Sequence, residues 1–403
     1  MPETTKLSSF GEISIMYEPK VSEIRTYIVR NPWKKWVFLE LITPDGSVGT
    51  GEATVYSAQF SVKERLRDLG DMIIGENPFE IEKFMNRWML RTFNRSKDLV
   101  SIGLMSGIEV ASWDLMGKHF GAPVYTFLGG KMRDSIKLYA NGWYTSAQNP
   151  EDWGKLAKEA VGRGYRALKF DPFGAGSGFL SEDEMNVSKQ IIESVHSSVG
   201  DKVELLIEGH GRFNRSTALK IAKYLERFEN IGWFEEPVIP EDVDGMAILS
   251  RSTSVPIAAG ERYITRFDFV RPFELGALHI AQPDIINTGG LLETKKIASM
   301  AESHNIAVAP HQAEGPVNSF ITMQLDATLP NLKIQEMFDE FAYPTWAWDI
   351  VDNRPEVNNG YEKVSTRPGI GIGIKEKVKD YLADENDRDF NLFSEGWEKR
   401  GFR

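Results

Sequence analysis

Carboxylates and histidines recur at one kind of place in this chain, the carboxyl end of a short apolar run. "VELLIEGH" ends in Glu208 and His210, "IGWFEEP" contains Glu235 and Glu236, "PIAAGE" ends in Glu261, "LHIAQPD" in Asp284 and "NIAVAPH" in His311, while "LKIQEMF" contributes Glu336. Gathered in one mouth, so many negative charges repel each other unless a cation lies among them. A hard divalent ion such as Mg²⁺ takes oxygen ligands and keeps positions open for water and substrate. Glu208, Glu235 and Glu261, one from each of three successive runs, suit it. Singly, each would be read as a surface charge or helix cap; three at equivalent places favour the ligand reading. A histidine-based site is weaker, because no H-E-x-x-H occurs among the six histidines. His210 and His311 each follow a run, and Asp284 ends the run before that of His311. An aspartate accepting from one ring nitrogen fixes the tautomer and raises the basicity of the other, so this pair is a candidate base. His119, His196, His279 and His304 are read as structural or solvent-facing.

These residues need elements that hold them on one face. Eight apolar runs, "IKLYAN", "YRALKFD", "VELLIEGH", "IGWFEEP", "PIAAGE", "LHIAQPD", "NIAVAPH" and "LKIQEMF", alternate with amphipathic helical patterns from about residue 135 onward. The spacing is that of a strand and a returning helix, and the span approaches the roughly 250 residues of a (β/α)8 barrel, whose active sites lie at the carboxyl ends of its strands. The fold class expected is α/β, a (β/α)8-type barrel at 131–367 behind an α+β capping domain at 1–130. Residues 368–403, with "GIGIG" and a final polar helix, are expected to return to the cap. In the cap, an extended segment at Val21 to Val29 precedes a hairpin, Trp36 to Ile42 turning at Pro44-Asp45-Gly46 toward Gly51-Glu52-Ala53. Ile81, Phe84, Met85, Trp88 and Met89 recur at helical spacing after Asn77-Pro78 and read as core. "GAGSG" and "GIGIG" lack the spacing of a phosphate cradle and read as flexible loops.

Composition narrows the function classes. At 403 residues, 41 % hydrophobic and 26 % charged, the chain reads as a soluble globular protein without an apolar stretch of membrane-spanning length or a secretory leader, so the cytoplasm is the default location. A net charge of −11 argues against nucleic acid as a partner. The absence of cysteine removes disulfides, thiolate nucleophiles and zinc–thiolate sites.

The strand ends "IEGHGRFN", "FEEPV", "AAGER", "QPDIINTGG" and "PHQAEGP", with "GIEVASWDLMGK" and "GAPVYTFLGG" before them, resemble the enolase superfamily, and within its mandelate racemase-like group the acid-sugar dehydratases. "YANGWY" and "ALKFDPFG" are similar to segments of gluconate and galactonate dehydratases. The resemblance covers nearly the whole chain. It implies Mg²⁺ on Glu208, Glu235 and Glu261, an Asp284 and His311 base dyad, His210 as the acid for the leaving hydroxyl, Lys169 at the substrate carboxylate, and Glu336 hydrogen-bonded to that carboxylate. Asp171, Asn141, Trp33, Glu52 and Glu236 are expected around the substrate, with Trp33 and Glu52 in a lid contributed by the cap. Racemases of the group carry a second lysine two positions after the first; here that position is Asp171, which favours one-base elimination over racemisation. The implied activity is dehydration of an aldonate, D-gluconate or D-galactonate first, through proton abstraction at C2 and loss of the C3 hydroxyl. A pentonate substrate, another reaction of the superfamily such as epimerisation or cycloisomerisation, and a non-catalytic sugar-acid-binding barrel are the alternatives. The resemblance also implies a homo-oligomer.

Overall fold

A computed structural model of the chain describes residues 18–92, 98–387, 390–394 and 396–397. The amino-terminal part is a three-stranded antiparallel sheet, β1 (Glu23–Val29), β2 (Trp36–Ile42) and β3 (Val48–Glu52), followed by helices α1 (Gln59–Leu69), α2 (Ile81–Arg91) and α3 (Leu99–His119). The sheet rests on α3, and the approach is close because the residues at the crossing are glycines. A Cβ at Gly51 would lie 2.0 Å from the Gly107 carbonyl oxygen. α3 is long and apolar enough to cross a membrane, contrary to the sequence reading, but 83 % of its apolar window is buried within the protein. A helix apolar on all sides is what a core position between a sheet and a barrel requires.

The eight apolar runs are eight parallel strands: β4 (Ser135–Ala140), β5 (Ala167–Phe170), β6 (Glu204–Glu208), β7 (Ile231–Glu235), β8 (Ile257–Ala259), β9 (Ile280–Ala281), β10 (Ala307–Val308) and β11 (Gln335–Met337). β11 pairs with β4, and Val308 bridges to Leu332, so the sheet closes on itself. Tyr139, Ala167, Leu206, Trp233, Ala258, Ile280, Ala309 and Ile334 form one interior layer, large side chains beside small ones, with the Tyr139 ring edge-on to Trp233 at 5.4 Å. Helices α4 (Pro150–Gly162), α5 (Glu182–Val199), α6 (Arg215–Leu225), α7 (Val243–Ser252), α8 (Thr265–Glu274), α9 (Ile285–Thr288), α10 (Leu291–Ser303) and α11 (Pro316–Asp326) return the chain between strands. Local chemistry starts several of them. Asn149 caps α4 with Pro150 in its first turn, Ser181 and Glu184 form a capping box on α5, and Asn214 and Asp242 cap α6 and α7.

After the barrel the chain runs back over the cap. Val29 bridges to Leu382, and Arg30 N donates to the Tyr381 carbonyl at 2.9 Å. The "GIGIG" segment is packed, not loose: Gly369 has φ +74°, and a Cβ there would strike Asp114 Oδ1, which accepts from Ile370 N at 2.9 Å. Of the expected final polar helix, the described residues show a short 3-10 helix at Glu376–Tyr381; the extreme carboxyl terminus lies outside the described residues.

Candidate active site

Parallel register does the first assembly step. Glu208 and Glu235 are paired residues at the ends of β6 and β7, and Glu235 is in turn level with Ala258 of β8, two residues before the loop that carries Glu261. One oxygen from each of Glu208, Glu235 and Glu261 lies within 4.8 Å of the others. Glu208 Oε1 accepts from His210 N at 2.6 Å, while Glu208 Oε2 is buried and accepts no hydrogen bond. Leaving such an oxygen unsatisfied is costly, and a hard cation satisfies it. Burial, then the neighbouring Glu235, pushes Glu208 far above the usual carboxylate range, whereas at Glu235 burial is overcome by Lys169 together with hydrogen bonds to Glu208 and Gln282, which hold it down at about 2. An oxygen-only, carboxylate-rich donor set with one unsatisfied oxygen fits a divalent metal.

Lys169, inside β5, reaches Glu336 Oε1 at 2.8 Å, Glu235 Oε1 at 2.9 Å and Glu208 Oε2 at 3.6 Å. Glu336 also accepts from Asn141 Nδ2 at 2.7 Å and from Gln312 N at 2.9 Å. All these partners are donors, so both oxygens of Glu336 are occupied as acceptors in this structure. Asn141 is thereby engaged with Glu336 while also lining the cavity.

Two histidines line the same cavity, each backed by a buried aspartate. His311 Nδ1 lies 2.7 Å from Asp284 Oδ2, and its Nε2 is 3.3 Å from Glu261. Asp284 is held by its second oxygen, which caps α9 through Ile286 N at 2.8 Å and Asn287 N at 3.2 Å. Burial depresses His311, but Glu261, Glu336 and Asp284 overcome it and raise the ring to about 10; a cation among the glutamates would offset that pull. His210, at φ +47°, places Nδ1 2.6 Å from Asp171 Oδ2. Burial lowers the His210 pKa, and Asp171 opposes the loss of its proton. Asp171, expected at the substrate, is instead buried behind His210, with Arg212 Nη2 2.5 Å from the same oxygen.

Two further expectations are redirected. Glu52 is 1 % exposed and faces away from the cavity: its carboxylate accepts from Gly315 N at 2.6 Å and Asn318 N at 2.9 Å, at the start of α11. Glu236 is tied to Arg262 by two contacts of 3.0 and 2.6 Å, and Arg262, not Glu236, lines the cavity. Trp33 does line it, packed on Tyr56 and Phe338. Sequence reading missed Lys34 and Glu314, a buried pair at 2.7 Å whose carboxylate stands 3.8 Å from His311 Nδ1. The signal was present in part, since Glu314 belongs to the "PHQAEGP" strand end; Lys34, 280 positions away, had none. The cavity, about 320 Å³, thus joins the carboxylate cluster, both histidines and cap residues under one roof.

Sheet closure, strand-end carboxylates and an antiparallel cap together define an enolase-type barrel enzyme. The chain belongs to the mandelate racemase / muconate lactonizing enzyme family: residues 20–129 match its N-terminal domain, and residues 152–378 match the enolase C-terminal domain-like family. A D-gluconate/D-galactonate dehydratase of Picrophilus torridus is 35 % identical over 368 residues, 91 % of this chain and 93 % of the relative. A D-gluconate dehydratase of Thermoproteus tenax is 36 % identical, covering 85 % and 68 %, and a D-xylonate dehydratase of Haloferax volcanii 29 %, covering 89 % and 87 %. The solved structure of a mandelate racemase/muconate lactonizing enzyme-like protein from Roseovarius superposes with a TM-score of 0.85 at 30 % identity, over 91 % of this chain and 96 % of that one. Members of this superfamily use a divalent metal, and Glu208, Glu235 and Glu261 could hold one here.

Proposed function

We propose that the chain dehydrates an aldonate, D-gluconate or D-galactonate, to the 2-keto-3-deoxy acid, with Mg²⁺ on Glu208, Glu235 and Glu261. The observation that carries this reading is the pair of histidines in one cavity, each backed by its own aspartate. A divalent ion there supplies electrophilic stabilisation of the charge that develops on the substrate carboxylate. Lys169, beside that cluster, binds the carboxylate. His311 Nε2 takes the C2 proton while Asp284 holds its Nδ1 proton in place. His210 Nε2 gives a proton to the C3 hydroxyl, the C3–O bond breaks and water leaves. The enol formed between C2 and C3 tautomerises to the ketone, and solvent restores both histidines. The nearby lysine of a two-base racemase is replaced by Asp171, which serves His210 instead, and this favours elimination over racemisation. Cap residues around Trp33 close the site over the substrate and exclude water. Location in the cytoplasm and a homo-oligomeric state are part of the same reading.

A panel of hexonates and pentonates assayed for 2-keto-3-deoxy acid tests it. Turnover of gluconate or galactonate, dependent on Mg²⁺, is expected. Racemisation or epimerisation at C2 without 2-keto acid would defeat the proposal.

A further inference from the structure

Behind His210 lies an array that the chemistry above does not use. Arg212 is buried, its side chain 7 % exposed, and its guanidinium is spent on the scaffold: Nη2 on Asp171 Oδ2, Nη1 on the Gly174 carbonyl at 2.6 Å, and Nε on the Gly209 carbonyl at 3.3 Å. It is therefore not placed to bind a substrate anion. Residues from the far end of the chain cover it. Phe393 lies over the guanidinium at 4.6 Å and Trp397 at 5.9 Å, a stacking that favours a cation on an aromatic face. The same two rings flank His210, at 5.3 and 5.7 Å, and stand edge to face with each other at 5.1 Å. Trp397 Nε1 donates to the Gly174 carbonyl at 2.8 Å, the oxygen that Arg212 also uses. Tyr56 of the cap donates its hydroxyl to the Phe390 carbonyl, fixing the other side of the segment.

Backbone geometry points the same way. His210 at φ +47° and Phe393 at φ +61° are both non-glycine residues in the left-handed region, and they face each other. Such conformations persist only where the surroundings enforce them. Here the two rings lie 5.3 Å apart, so each forms part of the other's surroundings.

We propose that Phe393 and Trp397 are positioning residues for His210: they clamp Arg212 on Asp171 and so hold the imidazole against the substrate's leaving group. The proposal rests on the dehydratase reading given above. The cap–barrel site is then incomplete without the carboxyl-terminal segment, which acts on one of the two proton transfers and not on the other. Proton removal by His311 and Asp284 lies outside the array.

That asymmetry gives the test. A 3-deoxy-3-fluoro aldonate loses HF without needing a proton on its leaving group, whereas the natural aldonate must lose hydroxide as water. In the full-length, Mg²⁺-loaded enzyme, Phe393→Ala is expected to slow water loss by at least about 10-fold, as misplacement of an acid does, with fluoride release within about 2-fold of wild type. Phe393→Tyr should restore most of the water loss, and Trp397→Ala should share the Phe393→Ala pattern. Equal falls in water and fluoride loss would show a general loosening and overturn the proposal, as would no fall in either. His210→Asn is run beside them. If it kept wild-type water loss, the acid assignment itself would fail, and the proposal with it; if it shows the selective loss and Phe393→Ala does not, only the positioning claim fails.

Discussion

At the scale of the residue, two histidines line one cavity, each backed by an aspartate, and the elimination proposed above assigns one proton transfer to each. His311→Asn is expected to stop both dehydration and exchange of the C2 proton with deuterated solvent, because the accepting nitrogen is gone. C2 exchange followed by NMR decides the matter, since exchange surviving in that variant would assign the base to another group. His210→Asn should lower dehydration by roughly 10²–10⁴-fold, the range for a lost general acid. The carboxylate cluster makes a separate prediction readable without turnover. A ligand that binds only the native state raises stability by about 2.7 kcal/mol at a hundred times its dissociation constant, so Mg²⁺ should raise the melting temperature. Glu235→Gln should abolish that shift; an unchanged shift would remove Glu235 from the ligand set. Glu208, Glu235, Glu261, Asp284 and His311 could be picked out in the sequence because each ends an apolar run, and strand ends of a closed parallel sheet necessarily converge. What a side chain turns toward had no such local sign. Asp171 is one residue past β5, as a substrate ligand would be, yet it points to His210, 39 positions away.

At the scale of the element, buried carboxylates pin helix starts across the seam between cap and barrel. Glu52, at the end of β3, accepts the amides that open α11, and Glu109, within α3, accepts Leu291 N and Leu292 N at 2.8 and 3.0 Å at the start of α10. Hydrogen bonds to the start of α11 give Glu52 a role in the fold: Glu52→Ala is expected to leave the ratio of rates among aldonates unchanged while lowering stability by about 2–3 kcal/mol, measured by urea unfolding. A changed ratio would return Glu52 to the substrate. Burial raises the Glu52 carboxyl to about 8 and that of Glu109 to about 7, despite the hydrogen bonds that oppose it. A carboxyl raised on folding stabilises the native state fully below its unfolded value near 4.5, and that contribution is lost as pH rises toward the folded value. Glu52→Gln imitates the neutral acid at every pH, so the deficit of the variant against wild type should shrink between pH 5 and pH 8.5; thermal melts showing a constant deficit would contradict this. The strands were legible because those of a parallel sheet covered on both faces read as continuous apolar runs. α3 was not recognised as a core helix, since Glu109 and Asp114 interrupt its apolar sequence; only the structure shows those two carboxyl groups spent on backbone amides of other elements.

At the scale of the whole molecule, the cap reaches the His311–Asp284 pair through Lys34 and Glu314. Its ammonium lies 2.7 Å from Glu314 Oε1, both side chains at most 7 % exposed, while the Glu314 carbonyl accepts from Trp36 Nε1 at 3.1 Å and from the Tyr343 hydroxyl at 2.6 Å. Glu314 in turn shares a cluster with Asp284 and His311, each offering an atom within 4.8 Å of the others. Burial would raise Glu314, but Lys34, and after it His311, holds it ionised at about 2. Without Lys34 that buried carboxylate loses its direct ion-pair partner and stands beside Asp284 with His311 and the Ala313 amide left to it, and breaking a buried pair at one partner costs about 3–5 kcal/mol. Lys34→Met should therefore destabilise the protein by that order and slow the C2 exchange step, because the nearest relief for Glu314 is a proton or a turn toward His311. Removing both charges should do less harm than removing one. In Lys34→Met/Glu314→Gln the buried charge is gone, and a double-mutant cycle by urea unfolding should return a coupling of at least about 1 kcal/mol, with C2 exchange partly recovered. Additive effects of the two substitutions on stability and on exchange would mean that Lys34 and Glu314 act independently, and that the cap is joined to the base dyad by shape alone.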